Sequence, residues 1–325
     1  MITKILRINA QQIEKDKIKQ AANLIKNGGL VAFPTETVYG LGGNIFNEKA
    51  LKEIYITKGR PYDNPLIVHI ADLKDLYVLA KQTPKTALKL AKAFWPGPLT
   101  MVLKRKDEIS KIATAGLNTI AIRMPDNKIA LELIRASDAP IAAPSANMFT
   151  KPSPTLAKHV LEDFKNKIPL IIDGGQTRIG LESTVIDLTS RIPTILRPGK
   201  ITKEDLEKVL DRVEVIGHPA SPAGGPQGEK AKSPGTKYKH YSPKARVVLV
   251  YGKVTQKLIG EYGGNVATIK ANQDVESLAK NLFIKFRKFD NKKIDTILVE
   301  GVEEKGLGMA LMNRLKKSAS EIIIN

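Results

Sequence analysis

Short apolar runs punctuate this 325-residue chain, and their spacing constrains its fold more than any other feature. LVAF (30–33), LIVHI (66–70), LTMVL (99–103), TIAIRM (119–124), PIAA (140–143), LIID (170–173) and STVIDL (183–188) have the length and composition of buried strands. Some follow one another too closely for a parallel crossover, which takes a dozen residues or more, so the sheet must be mixed. Helical segments separate the others. Between residues 12 and 27, Ile18, Ala21, Ala22 and Ile25 recur at i, i+3, i+4 and i+7, and Gly28-Gly29 stops the helix. Further helical stretches fall near 48–57, 84–94, 127–136 and 155–163. The pattern is α/β with a mixed sheet, not a regular βαβ repeat.

A chain of this length exceeds what one hydrophobic core usually supports. Between about 216 and 244 the sequence is rich in Pro, Gly and Ser and has no apolar periodicity, which marks a linker. Beyond it, ARVVLVYG (245–252), NVATI (265–269) and DTILVE (295–300) read as strands. The helix between the last two places Val275, Leu278, Ala279, Leu282, Phe283 and Phe286 on one face, and a final helix near 307–319 completes a small doubly wound module. The expected division is residues 1–215, a linker at 216–244, and residues 245–325.

Charge and cysteine content narrow the function. A formal charge of +19 favours polyanions such as RNA or a nucleoside triphosphate by electrostatic steering. The excess is spread along the chain, so a lysine-rich solvated surface accounts for most of it. With no cysteine, the chain has no disulfide scaffold, thiolate zinc site or cysteine nucleophile, as expected in a reducing compartment. The start, MITKILRINAQQIEKDK, has no apolar signal region, and no run approaches the length needed to cross a bilayer. A soluble cytoplasmic protein is the expectation.

The chemistry concentrates in two stretches. KGRPYDNPLIVH, residues 58–69, packs two permanent cations, an amide and a histidine ahead of an apolar strand. Lys58 and Arg60 lie at the end of a helix or just past it, since Pro61 forbids continuation. The pair suits phosphate oxygens, Arg as a planar fork and Lys as a point charge, with both side chains expected to be solvated until a ligand binds. Complementing a helix C-terminus is the plainer alternative. Asn64 and His69 extend the cluster, although a histidine inside LIVHI serves equally as a core residue with one polar partner. APSANMFTKPSPT (143–155) offers short hydroxyl and amide side chains after another apolar run. Two such loops at strand ends are where an α/β sheet binds a nucleotide.

PTETVYGLGG (34–43) reads as a glycine-rich loop that matches neither the dinucleotide fingerprint nor the phosphate loop, with Thr35 and Thr37 as hydroxyl donors. Arg123 ends the strand in TIAIRMP, where a guanidinium either pairs a protein carboxylate or receives a substrate carboxylate. Arg197, in ILRPG, has the same two readings. Ser183 stands at a strand start. The histidines, at 69, 159, 218 and 240, lack metal-ligand spacing, so no protein-held transition metal is expected. Mg²⁺ would ride on a triphosphate, which supplies most of its ligands.

FPTETVYGLG, KGRPYDNPLIVHI, WPGPLTMVL, IAIRMP, APSAN, ESTVIDL, LRPG, SPGTKYKHYSP and GLGMALMNRLKKSAS occur in this order along the chain. Together they resemble the YrdC-like threonylcarbamoyl-adenylate synthases, in the two-domain form with a C-terminal Rossmann-like module. The resemblance implies a YrdC-like twisted mixed sheet with flanking helices, followed by a smaller Rossmann-like α/β domain. It also implies that ATP, L-threonine and bicarbonate become L-threonylcarbamoyl-adenylate and pyrophosphate, the first step of the threonylcarbamoyl modification of adenosine in ANN-decoding tRNAs.

On this analogy Lys58 and Arg60 carry the catalytic charge, and with Asn64, Ser145, Asn147, Ser153 and Arg197 they hold ATP and its phosphates. Thr37, His69, Arg123 and Ser183 hold threonine, with Arg123 facing its carboxylate. Thr119, on the ATP side, and the backbone at Ala143, on the threonine side, border both ligands. Tyr238, His240 and Tyr241 resemble a segment that folds across the site as a lid. Beyond the substrates, tRNA or a downstream tRNA-modification complex is the implied partner. A non-catalytic double-stranded RNA or tRNA binder of the same fold is the competing reading, against which the intact Lys58, Arg60, Ser145 and Asn147 speak. The related carbamoyl-adenylate chemistry of hydrogenase maturation goes with cysteine-rich zinc modules, and this chain has no cysteine.

Overall fold

A computed structural model describes residues 1–216, 240–271 and 274–325. The strands up to residue 215 are β1 (Lys4–Arg7), β2 (Val31–Phe33), β3 (Gly40–Asn44), β4 (Ile67–His69), β5 (Leu99–Lys104), β6 (Thr119–Arg123), β7 (Ile141–Ala142), β8 (Leu170–Asp173), β9 (Thr184–Asp187), β10 (Thr194–Arg197) and β11 (Glu214–Val215). They form one sheet in the order β1-β8-β2-β3-β7-β4-β6-β5-β9-β10-β11. The sheet is mixed, as the close spacing of the apolar runs requires. For example, β4 pairs parallel with β6, while β5 pairs antiparallel with β6 and parallel with β9.

Because side chains alternate across a strand, each strand feeds two faces. Val68, Met101, Leu103, Ile120, Ile122, Ile186 and Ile195 point into the main core, which includes Leu51, Ile54 and Tyr55 of the helix Glu48–Lys58 and Leu90 of the helix Lys85–Phe94. The opposite face is divided. Its β1-β8-β2 end packs against the helices Lys15–Lys26 and Lys128–Ser137 through Val31, Phe33, Leu170 and Ile172, joined by Ile141 of β7. Further along, the same face carries a small apolar strip of Ile67, Val102, Ala121, Val185 and Leu196. By the same alternation His69 and Arg123 stand beside this strip, and the candidate site lies where the helix-covered part of the face ends.

The glycine-rich reading of PTETVYGLGG is corrected over its second half. Gly40–Asn44 forms a strand, antiparallel to β2, with Val31 opposite Gly42. A Cβ on Gly42 would lie 2.6 Å from Ile141 Cγ2 and 2.7 Å from Phe33 Cε1, so glycine serves close packing here and not a loop. The sequence reading also passed over β1, β11 and the short helices Asp75–Leu79 and Lys203–Glu207. Each has five residues or fewer, too short a window for a period to emerge.

After the linker region, β12 (Arg246–Tyr251), β13 (Val266–Ile269), β14 (Thr296–Glu300) and β15 (Glu321–Ile324) form a parallel sheet in the order β13-β14-β12-β15. The helix Val275–Asn291 starts on Asp274, whose carboxylate accepts from the Ser277 N–H at 2.7 Å. This helix and Leu307–Ser318 bury Leu278, Leu282, Phe283, Phe286, Leu311 and Leu315 against β12 and β14. Strand β15, absent from the sequence reading, sits at the sheet edge, with Ile322 and Ile324 exposed. No helix among the described residues is long and apolar enough to cross a membrane.

Candidate active site

The helix Glu48–Lys58 aims the first two cations. Its N-cap Asn47 accepts from the Ala50 N–H at 3.0 Å, and its end is set by Gly59 at φ 61°. There the N–H groups of Gly59 and Arg60 return to the Ile56 and Tyr55 carbonyls, a left-handed stop that glycine adopts without strain. This reversal places Lys58 and Arg60 in the wall of one hollow. The expectation that they are solvated is wrong: Lys58 is 1% exposed and Arg60 7%. Lys58 Nζ donates to the carbonyls of Ser145, at 2.5 Å, and Asn147. Arg60 donates to the carbonyls of Asn64 at 3.0 Å and Pro65 at 2.9 Å. Burial, reinforced by the Arg60 charge, holds the Lys58 ammonium well below its ordinary value, and burial pushes Arg60 down to about 10. Neutral carbonyls orient both groups without cancelling their charge. The helix-terminus alternative fails for Lys58, whose ammonium reaches across to the 145–147 loop.

Strands β4 and β6 set His69 directly beside Arg123. Arg123 Nη1 donates to Thr37 Oγ1 at 2.9 Å and Nε to the Gly97 carbonyl at 3.3 Å, while Nη2 lies 2.7 Å from Glu36 Oε2, both side chains being buried. Of the two readings of Arg123, the protein carboxylate is therefore the one in place. Glu36 went unremarked in the sequence reading, although a carboxylate within FPTETVYGL is an anomaly of the same kind as a guanidinium at the end of TIAIR. The Thr37 hydroxyl also meets Thr35 Oγ1 at 2.8 Å. Burial and the adjacent Arg123 charge push His69 down to about 3, so it is a neutral imidazole, packed edge-on to Phe33.

The far wall comes from the 145–153 loop and from β9 and β10. Asn147 donates to the Met148 and Lys151 carbonyls at 2.8 and 2.9 Å, which shapes the loop around Lys58. Ser153 donates to Glu182 Oε1 at 2.5 Å. Ser183 meets Thr100 Oγ1 at 2.7 Å, and its carbonyl accepts from Arg197 Nε and Nη2 at 3.1 and 2.9 Å. Of the three lid residues, Tyr238 lies outside the described residues. His240 packs edge-on to Phe149, and Tyr241, at φ 66°, stacks on Phe283 and bonds Arg197. Both line the hollow, so the end of the linker region forms part of the wall.

Lys58, Arg60, Thr37, His69, Arg123, Ala143, Ser145, Asn147, Ser153, Ser183, Arg197, His240 and Tyr241 thus converge on one hollow that opens to solvent. Two expected residues stand apart. Asn64 acts through its carbonyl on Arg60 and is not among the lining residues. Thr119 shares the Arg123 face but lies four residues away, roughly 13 Å along the strand, and it is not in the lining. Glu182, Lys151 and Phe149, which the sequence reading did not single out, do line the space. Among the described residues, Glu36 Oε1, His69 Nδ1, Asn147 Oδ1 and Thr119 Oγ1 are buried without a hydrogen-bond partner.

A mixed α/β sheet with buried cations gathered at one open face presents positive charge at the place where α/β sheets bind their ligands. Residues 23–199 match the family described as telomere recombination (Sua5_yciO_yrdC), and residues 201–320 match the one described as threonylcarbamoyl-AMP synthase, C-terminal domain. The chain belongs to the Sua5/YciO/YrdC family. It is 51% identical to the threonylcarbamoyl-AMP synthase of Pyrococcus abyssi over 97% of both chains. It is 46% identical to that of Bacillus subtilis, over 95% of this chain and 94% of the other. The crystal structure of P. abyssi Sua5 complexed with L-threonine superposes over the full length of both chains with a TM-score of 0.92 at 49% identity.

Proposed function

We propose that this chain is a threonylcarbamoyl-AMP synthase, which joins L-threonine, bicarbonate and ATP into L-threonylcarbamoyl-adenylate with release of pyrophosphate. The observation that carries the proposal is the convergence of buried Lys58, Arg60, Arg123 and Arg197 on one hollow whose lining carboxylate is Glu182, in a chain 51% identical to a protein named threonylcarbamoyl-AMP synthase. In the proposed sequence the threonine amine condenses with bicarbonate to give a carbamate, forming the N–C bond as a C–O bond breaks and one water leaves. A carbamate oxygen then attacks the α-phosphorus, forming one P–O bond while the bond to the pyrophosphate leaving group breaks. No protein nucleophile is needed, so catalysis is positioning and charge stabilisation. Lys58 and Arg60 neutralise the phosphates, with Mg²⁺ arriving on ATP as part of the substrate. Ile67, at the edge of the buried apolar strip, adds an apolar contact to the hollow.

Threonine would lie at the Thr37, His69, Arg123 and Ser183 end. A guanidinium has five N–H donors, so Arg123 keeps some for a substrate carboxylate while Glu36 and Thr37 hold it in place. Neutral His69 adds a polar contact without a second charge. The adenylate would pass to tRNA-modifying machinery. The test is pyrophosphate release from ATP by the purified full chain. Release should require threonine and bicarbonate together, and release that proceeds unchanged without either one would overturn the proposal.

A further inference from the structure

The connection from β8 to β9 contains two glycines with the same left-handed backbone, Gly175 at φ 83° and Gly180 at φ 84°. Their surroundings differ. A Cβ on Gly175 would meet nothing within 4 Å, whereas one on Gly180 would lie 2.5 Å from both the Cα and the carbonyl oxygen of Lys280. Lys280 belongs to the helix Val275–Asn291, so the backbone of the C-terminal unit rests directly on Gly180. The next residue, Leu181, is fully buried and joins the C-terminal core beside Leu278, Leu282 and Phe283. Two arginines fasten the same unit elsewhere, Arg287 on the Pro152 carbonyl at 2.6 Å and Arg314 on Glu182 Oε2 at 2.9 Å. Yet among the described residues none after Tyr241 lines the hollow.

On its other side the same segment holds the loop that grips Arg123. The Ile179 N–H donates to the Glu36 carbonyl at 2.8 Å and the Gly180 N–H to the Thr37 carbonyl at 3.1 Å. Glu36 and Thr37 are the residues that meet the Arg123 guanidinium. Gly180 therefore has the C-terminal helix on one side and the Thr37 backbone on the other. The atoms a Cβ would strike are helix backbone, which cannot rotate aside as a side chain can, so glycine alone allows this approach. We propose that Gly180 and Leu181 are positioning residues through which the C-terminal unit holds the threonine end of the hollow. Helix and core fix residues 179–181, and these fix the Glu36 and Thr37 backbone that orients Arg123. The unit thereby acts on substrate binding without lending a side chain to that end; threonine as the ligand rests on the synthase reading, whereas the mechanical link does not.

Gly180→Ala in the full chain is the test and Gly175→Ala its control, since both carry the same left-handed strain and only the first meets the helix. The Thr37 and Val38 N–H groups, held on Thr35 Oγ1, report on the gripped loop. In ligand-free protein, hydrogen exchange at these amides should quicken about tenfold in Gly180→Ala and stay unchanged in Gly175→Ala. Calorimetry with L-threonine and, separately, ATP should show threonine weakened about five- to tenfold in Gly180→Ala, with ATP within about twofold of the unaltered chain. Leu181→Ala is the second variant. It empties the anchor without adding a clash and should act in the same direction, so the link stays testable if Gly180→Ala does not fold. Equal weakening of threonine and ATP, as a general loosening would give, or unchanged exchange and threonine affinity in the folded variant, would refute the link. If the unaltered chain binds no threonine, the synthase reading falls, and the exchange comparison still decides whether the C-terminal unit holds this loop.

Discussion

Lys58 shows how a single side chain links the fold to ligand charge. Its ammonium is buried on two carbonyls, and this burial lowers its proton affinity. A phosphate placed against it would restore that affinity, so nucleotide binding should take up a proton. The sign follows: ATP binds best where Lys58 is already charged, and affinity falls as pH rises from the depressed value of the free protein toward that of the complex. Calorimetry in two buffers of different ionisation enthalpy should detect the uptake, and Lys58→Ala should abolish it while weakening ATP by about 1.5–3 kcal/mol. Proton uptake that persists in Lys58→Ala would assign it to another group. Stability carries the same linkage. Between its lowered folded value and 10.5 the unfolded chain holds a proton the folded chain lacks, so the Lys58 contribution to stability rises with pH across that window.

Among the elements, β3 depends most on its glycines. Gly40–Asn44 runs between β2 and β7, and the space above Gly42 is already filled by Ile141 Cγ2 and Phe33. The Ile141 methyl belongs to a β-branched side chain on a paired strand and has little freedom to retreat. Gly42→Ala should therefore overpack this core and cost about 1–3 kcal/mol in chemical denaturation. The same strand leads back to Thr35, Glu36 and Thr37, so the variant should also weaken threonine binding. A variant as stable as the parent would show that the sheet flexes here.

At the scale of the whole molecule, the two sheet units are joined by buried charge. Asp163 lies between Arg287 at 2.8 Å and Lys151 at 2.9 Å, and of the three side chains only Lys151 is substantially exposed. Arg287→Leu would remove the buried partner and leave Asp163 to Lys151 and the Met148 N–H. Breaking a buried pair from one side costs about 3–5 kcal/mol, and the remaining lysine should bring this toward the lower end. Adding Asp163→Asn to Arg287→Leu should recover part of the loss, since the uncompensated charge disappears with it. A double variant no more stable than Arg287→Leu would mean that the arginine acts through the Pro152 carbonyl instead. The C-terminal unit is a structural part of the site wall through these contacts, and this bears on any attempt to shorten the chain.

Much of this could be read from local order in the sequence. Period and length marked the strands around LIVHI, LTMVL, TIAIRM and LIID and the helices between them, because these depend on neighbours within a turn or a pleat. Residue type alone marked Lys58, Arg60 and Arg123, since cationic side chains beside apolar runs demand a partner. Other features depended on partners distant in the chain. The Lys58 ammonium is buried on carbonyls 87 and 89 residues away, Arg123 meets Thr37 86 residues before it, and Arg314 meets Glu182 132 residues before it. Gly42 became a strand residue because Ile141 and Phe33 close over it. Thr119 matched the family pattern in sequence, yet it stands four residues along the strand from Arg123, outside the hollow. Local sequence thus determined which elements form and which charges need partners. Strand register and the docking of the two sheets decided which partners those charges meet, because only the folded chain brings distant residues within hydrogen-bonding distance.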